Sequence, residues 1–205
     1  MTGRPVLARR ALLALAALPL LAAADGGPAA PIAVFGAALI GVMKAGRATP
    51  FATRAQSLLP AVQGAFDLPL ILQNSVGLGW SGMPAAQQAD LLDAFTRFTV
   101  ATWVANFDSF GGERFVVAPE TTAIGKDQVV HTSLVPPQGD PTKLDYVMRQ
   151  LAQGWRAVDI LLDGSISRVA VQRSDFRGVL AGGGPAKLAA LLRAKAAALE
   201  AGGKS

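Results

Sequence analysis

Residues 143–162, KLDYVMRQLAQGWRAVDILL, decide the fold. In the first half, Leu144, Tyr146 and Met148 alternate with Lys143, Asp145, Val147 and Arg149. That two-residue period belongs to a strand with one apolar face. In the second half, Val158, Ile160 and Leu162 alternate with Asp159. The intervening LAQG supplies a turn glycine, so the two halves read as an antiparallel hairpin. Working backwards, Glu113–Ala118 and Gln128–Val135 are two further strand candidates, and the separators TTAIGKD and PPQGDPT carry turn residues. In Gln128–Val135 either parity could face inward. The pattern predicts an α+β fold, a curved four-stranded antiparallel sheet packed by several helices on its inner face.

Upstream of Gly111-Gly112 the period is helical. Ile32, Phe35, Leu39 and Met43 form one stripe; Phe51, Ala55, Leu58, Val62 and Phe66 form a second. Pro60 lies inside the second stripe and is expected to kink or divide it. Asp67 restarts a short helix that ends at Gly77. Pro84 to about Asp108 is the longest helical stretch, with Leu91, Phe95, Phe98 and Thr102 on one face and Trp103 and Phe107 continuing it. Downstream of the strands, Ile166 to Leu180 is helical, Gly182-Gly183-Gly184 breaks the run, and Pro185 opens a last helix.

The first 24 residues, MTGRPVLARRALLALAALPLLAAA, have the grammar of a secretory signal peptide. Arg4, Arg9 and Arg10 form a charged head, Ala11–Leu21 an apolar run, and Ala22–Ala24 a small-residue cleavage site. The predicted organisation is a signal peptide over 1–24, a flexible leader over 25–31 and a single α+β domain over 32–202. No cysteine occurs anywhere, which excludes disulfides, thiol catalysis, thiolate metal sites and lipoprotein acylation. The net charge of +5 includes the three signal arginines. Without them 16 basic residues face 14 acidic ones, too even a balance to suggest nucleic acid as a partner.

Chemistry is sparse. His131 is the sole histidine and sits mid-strand, where a structural or surface role is expected. No serine stands in a nucleophile-elbow pattern. Asp145 and Asp159 fall on neighbouring strands and could host acid–base chemistry in an apolar pocket, but their parity predicts that both face solvent. One histidine without cysteine or a dense carboxylate cluster gives no metal site, and no cofactor motif is present. No catalytic residue is assigned.

Three stretches carry a family resemblance: L144-D145-Y146, G154-W155-R156-A157-V158-D159-I160-L161-L162-D163-G164, and Q172-R173-S174-D175-F176. Together they resemble the MlaC-type toluene-tolerance family, periplasmic lipid-binding proteins of ABC-type outer-membrane lipid transport systems. The stretches 95–101, 104–109 and 162–176 look most like the hopanoid-associated branch called HpnM. The resemblance implies a deep apolar pocket between sheet and helices, a hopanoid or phospholipid ligand, and no enzymatic activity. It also implies two partners, an inner-membrane lipid transporter and an outer-membrane lipoprotein complex.

Candidate lipid-binding residues are the large apolar ones where helix and sheet faces should meet. They are Phe98, Trp103 and Phe107 before the strands, and Phe115, Val117, Leu134, Tyr146, Met148, Val158 and Ile160 within them. Phe176 follows. Periodicity does not distinguish a hollow interior from a filled one, so a scaffold with a packed core and an exported enzyme acting on an apolar substrate stand as the other readings.

Overall fold

The computed structural model describes Met1 and residues 26–202, so the predicted signal segment lies, apart from Met1, outside the described residues. Four helices come first: α1 (Ala29–Ala45), α2 (Phe51–Ala65), α3 (Leu68–Val76) and α4 (Ala85–Asn106). The strands follow as β1 (Arg114–Ile124), β2 (Asp127–Val135), β3 (Thr142–Leu151), β4 (Gly154–Leu162) and β5 (Ile166–Ser167). Helix α5 (Arg168–Glu200) closes the described chain.

Among the described residues the sheet is antiparallel and has five strands in the order β1-β2-β3-β4-β5, one more than the sequence pattern predicts. The extra strand is only two residues long, and Ile166 fits the helical stripe that follows it equally well. It is made by the turn before it. Asp163 (φ 49°) and Gly164 (φ 74°) both have positive φ, and Ser165 N donates to Leu162 O at 3.1 Å. This closes a hairpin that sets Ser167 against Leu161 and Ile166 against Leu162.

Two irregularities bend the sheet. β1 runs six residues past the predicted end at Ala118, with a register shift between Val117 and Thr121. Pro119 lies in that shifted stretch and has no N–H for the ladder. In β4, Val147 pairs with Asp159 and Met148 with Ala157, so Val158 has no partner and forms a bulge. A bulge reverses parity. Ala157 and Ile160 therefore oppose Met148 and Tyr146 on the inner face, and Val158 falls out of the alternation expected for Val158, Ile160 and Leu162.

The helices cover the inner face. Ile32, Phe35 and Leu39 of α1, Leu58 and Val62 of α2, Leu72 of α3 and Leu91 and Phe95 of α4 share one core with Val130, Tyr146, Met148 and Ala157. Helix α2 runs through Pro60 rather than dividing there. The Asp67 side chain caps α3 by accepting from Leu70 N at 2.8 Å. Beyond the reach of β5 the edge of β4 is open, and Asp67 N donates to Ala157 O at 2.9 Å. This contact ties the α2–α3 corner to the sheet.

At the core's centre Phe35 meets Phe66 and Trp103 edge-on, with ring centroids 5.0 and 4.9 Å apart. Gly36 beside it allows α1 to approach β1 closely, because a Cβ there would overlap the Phe115 ring. Helix α5 bends at Gly183 and Gly184, as the triple glycine predicts. Its first half packs by α3 and β4. Its second half is fastened to α4, where Arg193 binds Asp90 (2.6 Å) and Asp93 (3.3 Å) and Arg97 makes a two-pronged pair with Glu200 (2.9 and 2.8 Å). No helix among the described residues is long and apolar enough to cross a membrane.

Candidate functional site

A cavity of about 280 Å³ opens between α4, the first turns of α5 and the inner face of β3–β4, with α3 at one end. Folded interiors seldom leave voids larger than a water molecule, and ligand pockets begin at about 300 Å³. The space lies just below the lower end of that range.

Its walls follow from helix and strand periods. α4 contributes Phe95, Phe98, Thr99, Thr102, Trp103 and Asn106, which recur at spacings of three and four along one face. Phe107 continues the wall past the end of α4. The sheet supplies Leu144 from β3 and Ile160 and Leu162 from β4, with Asp159 at the edge. Phe66, Leu68 and Ile71 close the α3 end, and Arg168, Val169 and Gln172 look in from α5.

The polar wall residues are mostly engaged. Thr102 Oγ1 donates to Phe98 O at 2.8 Å. The Asp159 carboxylate accepts from the Ser167 hydroxyl (2.5 Å) and Val169 N (3.0 Å), and so secures the start of α5. Ser167 in turn caps that helix through Ala170 N at 3.0 Å. Asp159 is thus half-buried and bonded, not solvent-facing as its parity predicts.

Asp145 departs further from that expectation. It is only 8% exposed, and its carboxylate sits 2.7 Å from His131 Nδ1 and accepts from Thr132 N at 3.3 Å. His131 Nε2 lies 2.9 Å from Thr122 Oγ1. This cross-strand network occupies the outer face of the sheet. Among the described residues no cluster of histidine and carboxylate side chains could hold a metal.

Of the residues proposed from sequence, Phe98, Trp103, Phe107 and Ile160 stand on the cavity wall. Phe176 lies behind it, edge-on to Phe95 at 6.4 Å between centroids. Tyr146 and Met148 are fully buried in the core, and burial pushes the Tyr146 phenol well above its usual pKa. Phe115, Val117 and Leu134 sit on β1 and β2, where Phe115 pairs with Leu134, and are not part of the wall. Val158 is buried at the bulge, also off the wall.

The sequence reasoning missed Phe66, Leu68, Ile71, Phe95, Leu144, Leu162 and Val169 among the apolar wall residues, and Arg168 and Gln172 among the polar ones. Thr99, Thr102 and Asn106 were the available signal. Short polar side chains recurring on the apolar face of α4 mark a surface that neither faces solvent nor packs tightly.

A family model described as "MlaC protein" matches residues 36–194. The chain belongs to the MlaC family. In a comparison with solved structures it is similar to a phospholipid-binding protein from Ralstonia solanacearum, determined in complex with a phospholipid. The TM-score is 0.72 at 21% sequence identity, over 84% of this chain and 98% of the other. A search of curated proteins gives no match. The likeness establishes a shared fold, and the α+β layout of helices on a bent antiparallel sheet is therefore an MlaC-type fold.

Proposed function

We propose that this MlaC-family protein is a lipid carrier without enzymatic activity, exported to the periplasm behind a signal peptide over 1–24. Residues 32–202 would act as one lipid-binding domain. The observation that carries the reading is the apolar cavity walled by Phe98, Trp103, Phe107 and Ile160. The physical need is simple. Each buried methylene contributes about 0.8 kcal/mol, so a lipid cannot cross an aqueous compartment at a useful rate with its apolar body exposed. A cavity about as apolar as a bilayer makes uptake and release nearly balanced.

The cargo is a hopanoid, on the strength of the HpnM-like stretches 95–101, 104–109 and 162–176. The partners are an inner-membrane lipid transporter and an outer-membrane lipoprotein complex. A glycerophospholipid is the second reading, favoured by the ligand of the Ralstonia structure. The enzyme reading draws no support from Asp159, which caps α5, nor from the His131–Asp145 pair on the outer face.

Mass spectrometry of lipid extracted from protein purified from its own periplasm tests the assignment. A triterpenoid mass is the expected result. A phospholipid with no triterpenoid overturns the hopanoid assignment, and failure to take up any amphiphile overturns the carrier.

A further inference from the structure

Gln172 is, among the described residues of the cavity wall, the one polar side chain more than nine-tenths buried, at 8% exposure. It lies one turn after Arg168 on α5, so both look into the same space. Ser75 Oγ, at the end of α3, is 2.8 Å from Ile71 O and 3.0 Å from Gln172 Oε1. A hydroxyl has one hydrogen to give. Whichever of the two acceptors receives it, Ser75 occupies one end of the Gln172 carboxamide. The other end makes no hydrogen bond to any described residue. It is not sealed in protein either: among the described residues only the Tyr146 hydroxyl is both sealed and unpaired. The free end of Gln172 opens on the cavity.

An apolar cargo that displaced water from this amide would leave it unpaired, at the full cost of a buried orphan polar group. A cargo bearing a hydroxyl at its buried end would not, because a hydroxyl both donates and accepts and so pairs with either end of the carboxamide. Resting on the carrier reading above, we infer that Gln172, positioned by Ser75, selects a lipid alcohol over a hydrocarbon of the same skeleton.

The test is competition between two matched probes, a hopanoid alcohol and the corresponding hydrocarbon, at equal concentration on the delipidated protein, read by native mass spectrometry. The protein is expected to prefer the alcohol by about tenfold, the fold-change of one well-made buried hydrogen bond. Gln172→Leu should lose that preference and take up the hydrocarbon at least as well, which also shows that it folds. If the Leu variant takes up neither probe, Gln172→Met, which keeps side-chain length, decides by the same criterion. Ser75→Ala, which leaves the wall unchanged but releases the tether, should reduce the preference. Equal uptake of both probes by the unaltered protein overturns the role of Gln172 and leaves the carrier standing. So does an undiminished alcohol preference in the variants. Uptake of neither probe by the unaltered protein overturns the inference together with the hopanoid assignment, and uptake of a phospholipid in the same assay keeps the carrier standing.

Discussion

Ile160 reaches the cavity from the sheet, so enlarging it fills space instead of displacing neighbours. Ile160→Trp should abolish lipid uptake, measured by native mass spectrometry, while costing less than about 2 kcal/mol in denaturant unfolding, because the ring grows into a void and not into packed core. Tyr146, paired with Ile160 across β3 and β4, makes the opposite case. Its ring is fully buried between Phe35 and Phe66, yet its hydroxyl has no hydrogen-bond partner. The Thr132 hydroxyl gives its hydrogen to Leu144 O. A buried hydroxyl without a partner costs its desolvation and returns nothing. Tyr146→Phe should therefore leave stability unchanged or raise it by up to about 1 kcal/mol, with lipid uptake unaffected. A loss of more than about 1 kcal/mol would mean the hydroxyl is bonded.

At the scale of elements, helix α5 has two jobs that its kink separates. The first half presents Val169 and Gln172 to the cavity, and the second is clamped to α4 by Arg193 and Glu200. Gly184 makes the bend with φ 67° and ψ −169°, a conformation almost confined to glycine. Gly184→Ala should cost about 1–3 kcal/mol in denaturant unfolding. Gly183 has an extended φ of 179°, but a Cβ there would overlap Lys187 Cδ and lie 2.9 Å from Lys187 Cβ, which moves only with its backbone. Gly183→Ala should therefore also destabilise, through overlap and not through backbone strain. The bend was legible because three glycines before a proline leave a helix little choice. The sheet was legible in β2, β3 and β4, whose predicted ends fall within a residue of the observed ones. Its irregularities were not. A bulge such as Val158 is set by which backbone pairs across the ladder, and the local pattern V-D-I-L-L reads identically with or without it. That single extra residue is why Val158 was placed with Ile160 and Leu162. Only four of the eleven apolar wall residues were legible, for a related reason: large apolar residues announce burial, but emptiness depends on how helix and sheet meet.

For the whole molecule, carboxylates hold distant parts of the chain together, and their ionisation sets an acid limit. Asp127, buried at the start of β2, forms a two-pronged pair with Arg149 of β3 at 2.7 and 2.6 Å. That hydrogen-bonded guanidinium holds the Asp127 carboxyl below its ordinary pKa, against the opposing effect of burial. Asp90, on the α4–α5 clamp, is lowered chiefly by its hydrogen bonds to Arg193. A carboxyl whose pKa is lower in the folded chain than in the unfolded one stabilises the fold wherever both states are ionised. The unfolded value is about 3.9, so this contribution is complete at neutral pH. It shrinks as pH falls below about 4 and is gone once the folded-state carboxyl is also protonated. Unfolding free energy measured from pH 7 to pH 2 should therefore decline below about pH 4. Asp127→Asn, which cannot titrate, should be less stable at neutral pH and show a shallower decline, so that the two curves converge in acid. Parallel curves would show that the Asp127–Arg149 pair has no part in acid lability, and would shift the burden to the α4–α5 clamp, where Asp90→Asn is the corresponding variant.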